Sequence, residues 1–369
     1  MIVDRLRECA NDVDTIGSNS SEYGHPLDRT VGAAARVHRS VIDRQRISLS
    51  CLPRIRESAV GSRRPRASNV QRIGNSRTRD TAGAVMNVTF HGVRGSTPCH
   101  GSEILEYGGN TSCVSIDVPD ADPIIFDLGT GLRYFGRTLS ADDPFRGSCL
   151  LTHLHWDHIQ GLPFFAPLLA DGAHVTVYAP AQDSGCSVEQ VFAETIKPPL
   201  FPVDLAVLPG TIEFHDLRNA DFLIDGGPAG DISVMSRSIP HVGHTLGYRV
   251  EWNGVSVAYL SDHQMPSDGS FGATDGALEL CSDVDLLIHD SQYTDGEFAV
   301  KSDWGHCTMD FAVWMAAEAG ARQLALFHHD PSHHDDQLDE LVAAAATSGA
   351  AIGVSVFGAR EGLTIALSG

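Results

Sequence analysis

From residue 86 onward, short β-branched or apolar runs alternate with Gly-rich turns, a pattern of strands more than of long amphipathic helices. Strands are expected at 88–90, 113–117, 123–126, 148–151, 175–179, 232–236, 247–251, 255–260, 284–288, 324–327 and 353–357. Helical spacing of apolar positions is clearest at 307–319, closed by Gly320, and at 337–347, closed by Gly349. Polar side chains recur where the strands end. Sheets whose loops converge on one rim predict a layered α/β sandwich. There is no internal repeat.

Before residue 86 neither period is sustained, and Arg, Ser and Asn dominate stretches such as GSRRPRASNVQRIGNSRTRD. The first 85 residues hold 15 Arg, no Lys and nine acidic residues, a charge of +6, whereas the remainder carries −27 with Lys197 and Lys301 as its only lysines. One reading of 1–85 is a basic arm for an anionic partner. The expectation taken here is an Arg-rich extension that is disordered or mis-assigned ahead of a start at Met86, because MNVTFHGVRG begins as a strand would. Residues 86–369 are then the catalytic domain.

Composition changes this picture little. No stretch approaches the roughly 20 apolar residues of a membrane-spanning helix, and no signal-like apolar segment opens the chain, so a cytoplasmic, membrane-free protein is the default expectation. The eight cysteines form no Cys-x-x-Cys pair, which favours reduced thiols over a disulfide framework.

The chemistry is concentrated after the apolar run Cys149-Leu150-Leu151. There Thr152-His153-Leu154-His155-Trp156-Asp157-His158 sets four potential metal ligands within six residues. In an extended or tightly turned segment His153 and His155 point the same way and can grip one ion, while Asp157 and His158 turn towards a neighbouring one. Imidazole with carboxylate suits Zn²⁺, Mn²⁺ or Fe.

HxHxDH after a strand resembles the signature of the metallo-β-lactamase superfamily, and the resemblance runs from Met86 to Gly369. It implies a four-layer αββα metallo-β-lactamase sandwich of the α/β class and a two-ion site. Ile124-Ile125-Phe126-Asp127-Leu128-Gly129-Thr130-Gly131 looks like the family's first motif, so Asp127 is expected to orient the ligands from behind. Pro240-His241-Val242-Gly243-His244-Thr245 resembles the segment supplying a third histidine; His241 is the choice, with His244 as rival. Asp262, closing Ala258-Tyr259-Leu260-Ser261-Asp262, fits the carboxylate that bridges two ions. In Leu324-Ala325-Leu326-Phe327-His328-His329-Asp330 the ligand is expected at His328, with His329, His333 and His334 exposed or supporting. One ion would thus be held by His153, His155 and His241, the other by Asp157, His158 and His328, with Asp262 between. No cysteine falls at a ligand position, which makes β-lactam hydrolysis an unsuitable activity.

Two divalent ions can share a bridging hydroxide at neutral pH and stabilise an in-line displacement. Leu287-Ile288-His289-Asp290-Ser291-Gln292-Tyr293 and Trp304-Gly305-His306-Cys307-Thr308 resemble segments of the phosphodiesterase or ribonuclease Z-like branch. In that reading His306, oriented by Asp290, protonates the leaving oxygen or binds a phosphate oxygen. The Gly-rich loops around Arg94 and around Asn110 and Ser112 are where that branch meets substrate, so these three are expected phosphate contacts. A large RNA would call for a basic surface, which −27 does not offer. The expectation is therefore hydrolysis of a small phosphodiester such as a cyclic nucleotide, using two divalent ions, with zinc ahead of manganese or iron. The alternatives are a tRNA 3′ endonuclease, a thioester or lactone hydrolase, and a non-enzymatic nucleotide-binding module; a homodimer is left open.

Overall fold

In the computed structural model, which describes residues 84–140 and 143–369, the alternating runs become two seven-stranded sheets. The first contains β1 (Val85–Gly92), β2 (Cys113–Asp117), β3 (Ile124–Phe126), β4 (Arg146–Leu150), β5 (His174–Pro180), β6 (Thr211–Leu217) and the last strand, β14 (Thr364–Ser368), in the order β14-β1-β2-β3-β4-β5-β6. The second contains β7 (Ala220–Ile224), β8 (Ile232–Ile239), β9 (Thr245–Trp252), β10 (Val255–Leu260), β11 (Leu286–Asp290), β12 (Gln323–Phe327) and β13 (Ser355–Gly358), ordered β13-β12-β11-β10-β9-β8-β7. The Arg-rich segment up to residue 83 lies outside the described residues, and β1 takes in Val85, one residue ahead of the boundary drawn from sequence.

The period of two in the strands divides their side chains between three packing layers. Val88, Phe90, Val114 and Phe126 from the first sheet meet Val234, Val250, Tyr259, Ile288 and Phe327 from the second. The outer face of the first sheet is covered by α1 (Gly131–Thr138) and α3 (Val188–Thr195), through Leu132, Phe135 and Phe192. The outer face of the second is covered by α4 (Asp275–Cys281), α6 (Met309–Glu318) and α7 (Asp335–Ala351), through Leu280, Ala312 and Leu338. The result is the expected αββα order. All six residues of β10 are buried, with Val257 and Tyr259 facing the sheets' interface and Ala258 and Leu260 facing the helices. Val257 and Leu260 each contribute roughly 1.5–3 kcal/mol by leaving water.

Runs β3-β4-β5-β6 and β10-β11-β12-β13 are parallel. Their carboxyl ends therefore open at a shared rim, the position where α/β sheets carry their sites. Asp127 follows β3, the 152–158 run follows β4 and leads into α2 (Trp156–Ile159), Asp262 follows β10, Asp290 ends β11 and His328 follows β12.

Several elements differ from the sequence expectation. β11 lies two residues later than 284–288, so His289 and Asp290 belong to the strand. The segment 181–230, unreadable as pattern, supplies α3 and the edge strands β6 and β7. β6 has no fully buried residue, its side chains alternating mainly between exposed and half-buried. Helix α3 is held at its start by a reciprocal cap between Ser187 and Gln190. Helix α5 (Asp295–Lys301) is similarly capped by Thr294 and Glu297. Cys99, Cys113, Cys149, Cys186, Cys281 and Cys307 are all free, as reduced thiols require.

Candidate metal centre

Asp127 sits at the end of β3 with φ of 59°, in a conformation that costs a non-glycine residue energy and places its carboxylate beneath the 152–158 run. That buried carboxylate accepts hydrogen bonds from the Thr152 amide (2.8 Å), the Thr152 hydroxyl (2.9 Å) and the Tyr259 hydroxyl (2.8 Å), and lies 2.8 Å from His158 Nδ1. Holding Nδ1 against this carboxylate turns Nε2 of His158 towards the centre. His158 Nε2 is buried and has no hydrogen-bond partner.

Around it the structure gathers three overlapping groups: His153, His155, His241 and Asp262; Asp157, His158 and His328; and Asp262, Asp290, His306 and His328. His155 Nδ1 lies 2.8 Å from His153 Nε2 and 3.2 Å from His241 Nε2. Their partners fix which nitrogens turn inwards: His153 Nδ1 is 3.0 Å from the Thr152 hydroxyl, and His241 Nδ1 donates to the Gly305 carbonyl at 2.7 Å. On the other side, His328 Nε2 is 3.3 Å from Asp157 and 3.2 Å from Asp262 Oδ1.

Asp262 faces both groups. Its Oδ1 is 3.1 Å from His158 Nε2, while its Oδ2 is 3.6 Å from His153 Nε2 and 3.5 Å from His241 Nε2. Burial lowers the basicity of His153, His155 and His241, so their inward nitrogens carry lone pairs. Burial would raise Asp157 and Asp262, but neighbouring imidazoles outweigh it and hold both carboxyls below their usual range. His158 goes the other way: burial opposes its charge, yet Asp262, Asp157 and Asp127 outweigh that and raise it well above an ordinary histidine. Converging lone pairs, two ionised carboxylates and an orphaned nitrogen suit two cations bridged by one carboxylate. The ligand set contains no cysteine.

The predicted acid lies beside this centre. His306 Nδ1 is 2.7 Å from Asp290 Oδ2 and 3.9 Å from Asp262 Oδ2, and its ring stacks on that of His328 at 5.0 Å. Burial would lower His306, but the Asp290 carboxylate outweighs it, so the ring is raised above the ordinary value. The Asp290 carboxylate is fixed in turn by the amides of Gln292 and His263.

The structure gives the three expected phosphate contacts partners or surroundings within the protein. Arg94 is fully buried, and its guanidinium donates to the carbonyls of Gly108, Asp330 and His333 while facing Asp335 at 3.8 Å. It ties loops together and presents no charge to the rim. Asn110 donates from its backbone and its side chain to Glu361, and the Ser112 hydroxyl is enclosed. Among the remaining histidines, His244 turns away, with Nδ1 donating to the Ala181 carbonyl. His329 and His333 are buried supports, and His334 is exposed.

Two supporting residues had no reading in the sequence. The Ser96 amide donates to Asp157 Oδ2 at 2.7 Å, from a backbone at φ of 60°. Gln292 accepts from His328 Nδ1 at 2.8 Å and donates to the Ser96 hydroxyl at 3.2 Å. Gln292 lay inside a motif quoted for other members and Ser96 in the loop around Arg94, but a short-range pattern carries no signal for a contact spanning 196 residues.

The chain is similar in sequence and in fold to several known proteins. The family model described as a beta-lactamase superfamily domain matches residues 146–329. A protein of Synechococcus sp. (strain CC9311) named ribonuclease Z is 28% identical over 312 residues, covering 70% of this chain and 93% of that one. The metallo-beta-lactamase fold protein YhfI from Bacillus subtilis shares the fold with a TM-score of 0.55 at 20% identity, over 77% of this chain and 100% of its own. Unliganded yeast PDE1 does so with a TM-score of 0.57 at 13% identity, again over 77% of this chain and 100% of its own.

Proposed function

Because the chain belongs to the metallo-β-lactamase superfamily, in its ribonuclease Z-like branch, we propose that it is a two-metal phosphodiesterase acting on a small phosphodiester of cyclic-nucleotide type. The observation that carries the reading is the His306–Asp290 pair set 3.9 Å from the carboxylate between the two ligand groups. A hydrolase whose leaving group needs no proton has no use for a second buried acid there, whereas an alkoxide leaving from phosphorus does.

His153, His155 and His241 would hold one ion, and Asp157, His158 and His328 the other, with Asp262 between. Zinc fits this donor set, as do manganese and iron. Two such ions supply an activated water at neutral pH and charge neutralisation for the phosphoryl group. Asp127, Gln292 and Ser96 keep the ligands' inward atoms in place. His306, charged through Asp290, donates its Nε2 proton to the departing oxygen while Asp290 holds Nδ1–H and fixes the ring's orientation.

A second reading is tRNA 3′-end processing, favoured by the name of the Synechococcus relative. The −27 charge beyond residue 85 and the burial of Arg94 speak for the small substrate, since affinity for a long polyanion is built on exposed cations. The deciding assay sets metal-loaded protein against cyclic AMP, bis-p-nitrophenyl phosphate and a tRNA precursor, with Asp157→Ala as control. Turnover of the first two and not the third is expected. Cleavage of the precursor alone selects the second reading, and inertness to all three alongside thioester turnover ends both.

A further inference from the structure

A nucleotide phosphodiester carries a flat heterocycle as well as a phosphate, and the rim of this centre has aromatic surface for one. Of the four tryptophans, Trp252 is buried and Trp314 packs on Phe311 and Phe271. Trp156 and Trp304 are instead 59% and 61% exposed. Trp156 follows His155 directly. Trp304 precedes Gly305, whose carbonyl accepts the hydrogen bond from His241, and stands two residues before His306.

The segments bearing these indoles meet the centre from two sides of one imidazole. The His241 ring is 5.0 Å from that of His155 and 5.5 Å from that of His306. Val242, half exposed, is in van der Waals reach of Gly305, since a Cβ there would lie 3.4 Å from Val242 Cγ2. Exposed apolar side chains are thus carried on the segments that border the centre. Of the cations near these segments, Arg94 is buried, while Lys301 lies 3.3 Å from Asp330 and 5.8 Å from the centroid of Trp304. Stacking on aromatic rings accepts any base, because every base has a π-face.

We propose that Trp156 and Trp304, with Val242 between their segments, form a base-binding subsite, so that the substrate is a single-nucleotide phosphodiester recognised by its heterocycle. The proposal rests on the phosphodiesterase reading for the placement of the phosphate. It is tested by binding to the metal-loaded full chain, comparing adenosine 5′-monophosphate with ribose 5-phosphate by calorimetry and by indole fluorescence. The nucleotide is expected to bind roughly tenfold tighter than the base-free phosphate, the scale of one base–aromatic stack, and to quench emission. Trp156→Ala and Trp304→Ala each shrink that preference, Trp304→Phe keeps most of it, and in turnover of cyclic AMP the alanine variants raise KM with kcat retained. Equal affinity of the intact protein for the two ligands overturns the subsite, as does a nucleotide preference that survives in the double alanine variant. A tryptophan-dependent preference in a protein that hydrolyses no phosphodiester leaves the subsite standing and removes the catalytic reading.

Discussion

Gln292 accepts a hydrogen bond from His328 Nδ1 at 2.8 Å, and the same amide donates to the Ser96 hydroxyl. The Ser96 backbone in turn holds Asp157, so one side chain sets the tautomer of one ligand and the loop that orients another. Replacing Gln292 with Leu frees the His328 ring to adopt either tautomer. Metal affinity of the Asp157–His158–His328 group is expected to fall about 10–100-fold, the range for such supporting partners. Titration calorimetry and metal content after dialysis read this directly, with occupancy falling towards one ion per chain. Two tightly held ions in the variant would refute it.

Gly95 is required by the same contact. A Cβ at this position would lie 2.5 Å from the His328 ring and 2.7 Å from Gln292 Oε1, and neither group can retreat without giving up its partner. Gly95→Ala should cost about 1–3 kcal/mol by overpacking and weaken metal binding with it. Thermal unfolding of the metal-loaded and chelated forms separates the two effects, because the metal-dependent part vanishes after chelation.

Arg94 offers the opposite test. A phosphate-binding arginine raises KM when removed, whereas one buried against three carbonyls lowers stability. Arg94→Met is expected to destabilise the fold by about 3–5 kcal/mol, the scale for breaking a buried ionic network, while the folded fraction keeps its KM. Denaturant unfolding together with active-site titration distinguishes the outcomes.

The pH dependence follows from Asp290. Since the carboxylate raises His306 above an ordinary histidine, the charged ring persists to higher pH in the folded protein than in the unfolded chain. Its stabilising contribution is complete below the ordinary histidine value of about 6.5 and is lost as pH rises through the raised one. Catalysis that uses the His306 proton declines over the same alkaline interval. Asp290→Asn should move the alkaline limb of the kcat/KM profile to lower pH; a limb that does not move assigns the proton to another group.

The legible parts of this molecule were those written in short-range pattern. HxHxDH places four ligand candidates by local chain geometry, and the apolar runs before Asp262 and His328 mark strand ends. The strand pattern gave a layered α/β sandwich, and the αββα order followed from the resemblance. Arg94 was misread because a glycine-flanked arginine near a strand end looks the same whether it faces solvent or is clasped by carbonyls of 108, 330 and 333. Gln292 and Ser96 went unread because their roles exist only once distant loops meet. The edge strands β6 and β7 were missed because their alternation is mostly between exposed and half-buried positions, and α3 because its cap, not its period, defines it.

The ligand groups are drawn from both sheets: the 152–158 run follows a strand of the first, while His241, Asp262 and His328 flank strands of the second. Cations held among them would act as a clasp across the two halves of the domain, and their binding energy would be forfeited whenever the halves part. Mass action makes this worth about 4.1 kcal/mol at a thousandfold excess over Kd, comparable with the whole margin of many folds. Proteolytic lifetime would then follow metal supply, and cells starved of the ion would lose the protein itself along with its activity.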